Sequence, residues 1–243
     1  MKKKHSKRYL ELVKGHNKLA EKSLSEAIKL LKTNSTTKFP ESMEAIFFLN
    51  IDKSKTDQNL RTIVDLPNGS GKKIKIAAIC SADKVDEAKS SGAEVVGSED
   101  LINEINSGKI NFDILISTPD MMSKVGKLGK VLGPKGLMPN PKLGTVAKDI
   151  KGTVNAIRKG RVEIKCDKDG NLALSIGKVK FSEQELSQNF KSVYEVVSKE
   201  KPAGIKGNFI NSIYLSTTMG TSVKLQLSNL SWTKSKKLLT LMI

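Results

Sequence analysis

The chain has 243 residues, of which 38% are apolar, enough to form one large domain or two of ordinary size. Its 42 lysine and arginine residues against 25 acidic ones give a formal net charge of +17, which predicts attraction to nucleic acid or to an anionic membrane. No apolar run approaches the ~20 residues that span a bilayer, and none follows the charged first residues, so neither a membrane span nor a secretory signal is expected. Nucleic acid is the favoured partner.

The cysteines and histidines do not indicate a metal site. Cys80 and Cys166 lie in apolar segments far apart in the sequence, which favours buried reduced thiols over a disulfide. His5 and His16 lie in the basic N-terminal stretch, where a lone histidine is typically a surface residue. With no cluster of cysteine and histidine, we expect no metal and no cofactor.

The first part of the chain predicts a basic arm followed by a helix and two strands. Residues 1–20 form the arm, which is interpreted either as a solvated tail or as an RNA contact. The capping box from Ser23 to Glu26 opens a helix with apolar residues at helical spacing. Strand-like runs follow at 45–51 and 60–66.

Beyond Pro67 the pattern changes to alternating strands and helices. Strands are predicted at 74–80, 93–97 and 114–117 and helices at 82–91, 99–107 and 147–159. This order predicts an inserted, parallel, three-layer domain of Rossmann-like topology over residues 68–159. No G-x-G-x-x-G follows the first strand, so nucleotide binding does not follow from the topology.

The last part of the chain returns to the first pattern. Residues 161–166 alternate in polarity, Asp169-Gly170 predicts a hairpin turn, a capping box at Ser182 opens a helix, and strands follow at 209–218 and 223–227. The predicted fold class is therefore α/β and α+β with two domains. An α+β domain is built from both chain ends, residues 21–67 and 160–228, with the insert between them and a C-terminal tail at 229–243. Two linkers, near 67–72 and 159–161, would allow hinge motion.

Two segments are candidates for binding a polyanion. Between Met121 and Lys148 the chain holds no acid but many glycines, prolines and lysines, which fits either a solvated loop or contact with phosphates. The segment lacks the G-x-x-x-x-G-K-[ST] pattern of a P-loop. In the strand 209–218, Ser212, Tyr214, Ser216 and Thr218 share a polar face. It is either an ordinary exposed face or, beside Gly220, one suited to RNA 2′-OH groups and phosphates.

The order of residues in the first segment carries a resemblance. The run LGKVLGPKGLMPNPKLGTV, residues 128–146, closely resembles the large-subunit ribosomal protein L-one family, and further matches extend it over roughly residues 5–227. Those matches include Lys38-Phe39, residues 57–61, residues 177–179 and residues 216–220. The resemblance implies a non-enzymatic constituent of the large ribosomal subunit, in contact with its other components, which binds large-subunit rRNA and forms the mobile lateral stalk. It also implies help in releasing deacylated tRNA from the exit site, and possible repression of its own mRNA.

The resemblance assigns residues to these roles. It places RNA contacts at Thr217, Thr218, Met219 and Gly220, with further contacts at Ser212, Lys38, Phe39, Glu44, Lys165 and Lys224. For Phe39 a core position, and for Glu44 a positioning role, are equally consistent with the residue type. The lysines Lys127, Lys130, Lys135 and Lys142 are then candidates for facing tRNA or the domain interface.

The chain departs from the family pattern at three places. Thr221 replaces the usual proline, which is expected to loosen the turn after Gly220, and residues 228–243 run past the usual end, where an unstructured tail is expected despite Trp232. Thr62 replaces the glycine of most bacterial members, as in cyanobacterial and plastid ones. It favours a plastid (chloroplast) stroma ribosome over one of the bacterial cytoplasm. The competing hypothesis, an enzyme using the inserted domain, lacks a phosphate fingerprint and a paired acid and base.

Overall fold

The structure is a computed structural model, and it describes residues 6–14, 20–52, 60–81, 84–167, 169–202, 204–205 and 207–230. The helices and strands are, in chain order, α1 (Lys7–Val13), β1 (Glu21–Lys22), α2 (Leu24–Asn34), β2 (Ser42–Leu49), β3 (Arg61–Asp65), β4 (Ile76–Ile79), α3 (Val85–Ser90), β5 (Val95–Gly97), α4 (Glu99–Asn106), β6 (Ile114–Ser117), α5 (Met122–Val125), α6 (Gly129–Leu132), α7 (Ile150–Lys159), β7 (Arg161–Lys165), β8 (Asn171–Lys178), α8 (Glu183–Lys199), β9 (Ile210–Thr217) and β10 (Val223–Leu225). Within the described ranges, no helix is long and apolar enough to cross a membrane.

The chain divides into two compact units. The first combines Met1–Gly71 with Ile164–Ile243, and the second is Lys72–Glu163. The predicted insert, 68–159, begins and ends four residues before the second unit does. At the first junction the reason is Asn189 of α8, a buried residue whose side chain accepts from the amide of Asn68 at 3.0 Å and donates to the carbonyl of Gly69 at 3.0 Å. These bonds hold residues 68–69 to the first unit.

The first unit is organised on a sheet of five strands in the order β1-β10-β9-β2-β8. Strand β2 pairs antiparallel with both β8 and β9, while β1 lies parallel to β10. The sheet therefore uses strands from both ends of the chain, which confirms the predicted α+β domain. A separate two-stranded sheet joins β3 to β7.

Helices α2 and α8 contact each other and pack on this five-stranded sheet. Alternation along β2 buries Met43, Ala45, Phe47 and Leu49, and Phe47 stacks on Phe190 of α8 with ring centroids 6.0 Å apart. Both helices begin at the predicted capping boxes, at Ser23 and Ser182. The apolar faces of the capped helices thus form the core with one face of the sheet.

The second unit has a parallel sheet in the order β5-β4-β6 with helices on both faces. On one face Ala77, Ile79 and Leu115 pack with α4 and with the short helical turns from Met121 to Leu132. On the other face Ile76, Ala78 and Ile116 pack with α3 and α7. This arrangement confirms the predicted Rossmann-like three-layer domain.

Three features of the first unit differ from the sequence predictions. Within the predicted basic arm, residues 7–13 form helix α1, none of whose residues is fully buried. The two residues of β1 are too few for a strand pattern. The predicted tail begins at 229, yet residues 227–230 form a helical turn and Leu230 is buried. Trp232 and the rest of the tail, like His5 and His16, lie outside the described residues.

Candidate nucleic-acid interface

Residues 217–220 form a tight turn where β9 ends. Along β9 the side chains of Ile213, Leu215 and Thr217 are buried, whereas the predicted polar face is half-buried and Thr218 is exposed. The amide of Gly220 donates to the carbonyl of Thr217 at 3.1 Å and closes the turn. A Cβ atom at Gly220 would lie 2.1 Å from Oγ1 of Thr217, so the turn requires glycine.

The start of β2 fixes the conformation of this turn. The amide of Ser42 donates to Oγ1 of Thr218 at 3.0 Å, and the amide of Thr218 donates to the carbonyl of Ser42 at 3.2 Å. The Thr218 hydroxyl therefore bonds the backbone of a residue 176 positions away. This hydroxyl, which the resemblance assigns to RNA contact, thus also makes a hydrogen bond within the protein.

A buried carboxylate, Glu41, connects the turn to the loop that precedes β2. Its side chain is 1% exposed. Oε2 accepts from the amide of Met219 at 3.1 Å, and Oε1 accepts from the Thr37 hydroxyl at 2.8 Å. Burial by itself raises the pKa of Glu41, but the hydrogen bonds from Met219 and Thr37 outweigh it and leave the pKa below its ordinary value.

Neighbouring hydroxyls add to this arrangement. The Thr217 side chain is 3% exposed and lies near enough to Glu41 to help lower the pKa of its carboxyl, although Oγ1 of Thr217 makes no hydrogen bond of good geometry within the described part of the chain. The Thr37 hydroxyl also lies 3.0 Å from the carbonyl of Phe39. Thr217 thus lies beneath the turn, whereas Thr218 and Met219 form its outer surface.

Met219 is held at both of its backbone polar groups. Its amide donates to Glu41, and its carbonyl accepts from Nη2 of Arg8 in α1 at 2.7 Å. Its own side chain is 50% exposed, and that of Phe39 is 49% exposed. Large apolar side chains this exposed are available to a partner, and their backbone is fixed before a partner arrives. For Phe39, the alternative of a core position is therefore wrong.

The structure brings some of the other candidate residues onto the same sheet. Glu44 of β2 lies opposite Ser216 of β9, and Ser212 lies opposite Phe48. Lys38 is exposed in the loop that carries Phe39. These residues share the turn's own sheet or the loop entering it.

Of the two remaining candidate lysines, Lys224 belongs to the same five-stranded sheet, on β10 opposite Tyr214, and Lys165 does not. Nζ of Lys224 lies 2.8 Å from Oε1 of Glu21, and this hydrogen bond raises the pKa of Lys224. Lys165 is exposed, but it belongs to the two-stranded sheet of β3 and β7. Neither sequence pattern nor composition could indicate either placement, since both depend on long-range pairing.

The lysine-rich stretch, residues 117–146 of the second unit, is ordered rather than an open loop. Its apolar residues Met121, Val125, Leu128 and Leu132 are buried against β4 and α4. Near its end Oγ1 of Thr145 accepts from the amide of Asn140 at 2.8 Å, and Gly144 adopts a φ of 66°. Lys127, Lys130, Lys135 and Lys142 are exposed, whereas Lys124 pairs with Glu99.

The two cysteines are buried, as expected from their apolar segments. Cys80 and Cys166 are buried and free, and burial raises the pKa of each thiol. No group of three His, Cys, Asp or Glu residues in the described segments could hold a metal ion. The candidate interface therefore consists of a rigid turn, exposed apolar side chains and basic residues.

Comparison with known proteins identifies the family. A model of the Ribosomal protein L1p/L10e family matches residues 30–221. Large ribosomal subunit protein uL1 of Thermosipho africanus is 47% identical over 229 residues, 94% of this chain and 99% of the relative. The proteins of the same name from Prochlorococcus marinus (strain NATL1A) and Rickettsia canadensis are each 47% identical, over 97% and 86% of this chain and 100% and 87% of their own lengths. The family is structural and not enzymatic, as predicted, and this chain belongs to the Ribosomal protein L1p/L10e family.

Proposed function

We propose that this protein is a structural constituent of the large ribosomal subunit that binds large-subunit rRNA directly through its first unit. The observation that carries the proposal is the turn at residues 217–220, whose backbone is held by Glu41, Ser42 and Arg8 while Met219 is half exposed. A turn fixed in advance loses little conformational entropy on binding and suits shape-specific RNA recognition.

The contact surface would combine the turn with its neighbours on the same side of the fold. Thr218, Met219 and Gly220 would contact RNA directly, together with Lys38 and Phe39 of the adjacent loop and Ser212 and Glu44 of the sheet. Thr217 would support the turn from beneath, since it is buried. Lys165 and Lys224 would contribute positive charge at the margins of this contact surface.

The proposal extends to the role of the second unit. Four of its exposed lysines, Lys127, Lys130, Lys135 and Lys142, would face exit-site tRNA. The double connection between the units would let this unit move as the lateral stalk and assist tRNA release. An mRNA site that imitates the rRNA site would make the protein a repressor of its own message. The ribosome is the proposed location. The plastid stroma stays a prediction from Thr62, because the relatives from Thermosipho africanus and Prochlorococcus marinus are equally identical to this chain.

Binding to rRNA can be tested with the full chain and a transcript of bacterial large-subunit rRNA, with small-subunit rRNA as competitor. We expect binding that is specific for the large-subunit transcript. Its Kd should rise with salt concentration, and log Kd should be linear in log salt concentration. Met219→Asp should weaken it at least tenfold, because an acid would replace an exposed apolar contact.

Asn103→Asp provides the matched control, since it adds the same charge at an exposed position of α4 in the second unit. Its Kd should stay within about twofold of the wild-type value. Equal affinity for the two rRNAs would contradict the proposed function, and equal Kd values for the two variants would contradict the assignment of the turn.

A further inference from the structure

We propose that Glu41 is a positioning residue for RNA binding, whose buried carboxylate holds the turn at residues 217–220 and the loop at residues 37–41 in one binding-competent arrangement without touching RNA. The inference deepens the proposed function and rests on it. Glu41 lies between two contact segments that are far apart in the sequence, and it bonds both of them.

The contacts show what the carboxylate does. One oxygen accepts from the amide of Met219 and the other from the hydroxyl of Thr37. The residue after it, Ser42, exchanges two further hydrogen bonds with Thr218. Two residues of the loop, two of the turn and the first residue of β2 are thereby connected around one side chain, beneath two exposed apolar side chains, Phe39 and Met219.

The carboxylate satisfies this geometry better than its near relatives. Both of its oxygens accept hydrogen bonds and both face donors. Glutamine has only one accepting oxygen for the two positions, so its NH₂ group would face either the Met219 amide or the Thr37 hydroxyl, which would then have to turn its proton to the carbonyl of Phe39. Glutamine also lacks the charge that strengthens both bonds, and aspartate would be one methylene too short to reach both donors. At 1% exposure Glu41 offers no surface to RNA. Apart from the repulsion between its charge and RNA phosphates, an effect of Glu41 on binding must therefore pass through the turn and the loop.

The charge of Glu41 makes the proposal sharply testable. An acid beneath an RNA-binding surface repels phosphates, so by electrostatics alone its removal should strengthen RNA binding, most of all at low salt. Positioning predicts the opposite sign. The two explanations therefore differ in direction and not only in size.

The test measures Kd for the large-subunit rRNA transcript with Glu41→Gln and Glu41→Asp in the full chain. Both variants should bind about tenfold more weakly, the equivalent of one charge-assisted hydrogen bond. The slope of log Kd against log salt should stay at its wild-type value, since no phosphate contact is removed. Glu195→Gln, at an exposed position of α8, is the control for charge and should bind equally well or slightly more tightly.

Hydrogen exchange separates positioning from loss of fold. In both variants the amide of Met219 should exchange faster, while that of Leu215, in the β9 ladder, keeps its protection. Wild-type affinity or tighter binding in Glu41→Gln would overturn the proposal, as would weaker binding accompanied by loss of protection at Leu215 in both variants. Absence of specific binding by the wild-type chain would instead contradict the proposed function.

Discussion

Protonation of Glu41 links the turn at residues 217–220 to pH. The carboxyl is bonded in its charged form, so its pKa in the folded protein lies below the ordinary value of 4.5. Its contribution to stability is then complete above the pKa of the unfolded chain and is lost as the pH falls through the lower folded value. At neutral pH the Glu41 carboxyl is charged, so its hydrogen bonds hold the turn.

We expect Glu41→Gln to lower the local stability of the turn at residues 217–220 by about 2 kcal/mol at pH 7, the cost of a weakened buried charge-assisted hydrogen bond. Below pH 4.5 the difference from the wild type should shrink, because the wild-type carboxyl then protonates. Exchange of the Met219 amide, which donates to this carboxylate, measured from pH 7 to pH 3, gives both values. A difference that grew toward low pH would show that the charged form is not the stabilising one.

The same residue shows how far a site can be predicted from sequence. Thr218, Met219 and Gly220 could be chosen by their motif, and the polar face of β9 by its alternation. Glu41 could not, because a single acid in a loop is typical of a solvated surface and its partner Met219 is 178 residues away. Thr217 matches the same motif as its neighbours, yet the pleat of β9 turns it inward. The partner of Glu41 and the inward position of Thr217 become visible only in the folded structure, where the pairing of the strands is known.

At the scale of elements, Asn189 joins helix α8 to strand β8 and to the segment after β3. Besides its bonds to Asn68 and Gly69, its side chain donates to the carbonyl of Ile176 at 2.8 Å. Asn189→Ala would leave three backbone groups without this partner and should lower stability by about 2 to 4 kcal/mol. Exchange of the Asn68 amide should accelerate most, because that amide donates to the missing side chain.

Gln188→Ala is the control at the neighbouring position. Oε1 of Gln188 accepts from the side chain of the same Asn68 at 2.9 Å, but the contact is exposed, so its loss should change stability by no more than about 0.5 kcal/mol. If Asn189→Ala and Gln188→Ala lowered stability equally, the attachment of residues 68–69 to the first unit would not depend on the buried side-chain amide of Asn189.

Elements with a strong local pattern were predictable. The capping box at Ser182 and the apolar spacing behind it predict α8, and the short apolar run 114–117 predicts β6 with the bounds that the structure has. The predicted strand 45–51 is shifted from β2, because β2 begins at Ser42 where pairing with β8 and β9 begins. The first junction between the units lies at Gly71 rather than Pro67 because a side chain of α8 holds the intervening residues.

At the scale of the whole molecule, the proposed function assigns a different partner to each unit. Replacing Lys127, Lys130, Lys135 and Lys142 together by glutamine removes four of the charges that make up +17, all from one exposed stretch of the second unit. Ribosomes carrying this variant should release deacylated tRNA several-fold more slowly, because lysine contacts with phosphates are lost. Labelled exit-site tRNA measures that rate.

The matched control removes four exposed lysines from other segments of the same unit, Lys73, Lys89, Lys109 and Lys151. It lowers the net charge equally and should leave the release rate unchanged. Both variants should retain specific binding to large-subunit rRNA. Equal slowing in the two variants would indicate a general effect of charge and no particular role for residues 127–142.

The discontinuous sheet of the first unit imposes an order on events during synthesis. Within the described sheet, strand β2 lies between β8 and β9 and is synthesised well before either partner. One of its edges therefore stays open until β8 has been made, and the other until β9 has been made. The second unit is continuous in sequence and can fold before the partner strands of β2 have been made. The turn at residues 217–220 can thus form only after the whole second unit and β9 have been made, so it forms later than most of the fold described above.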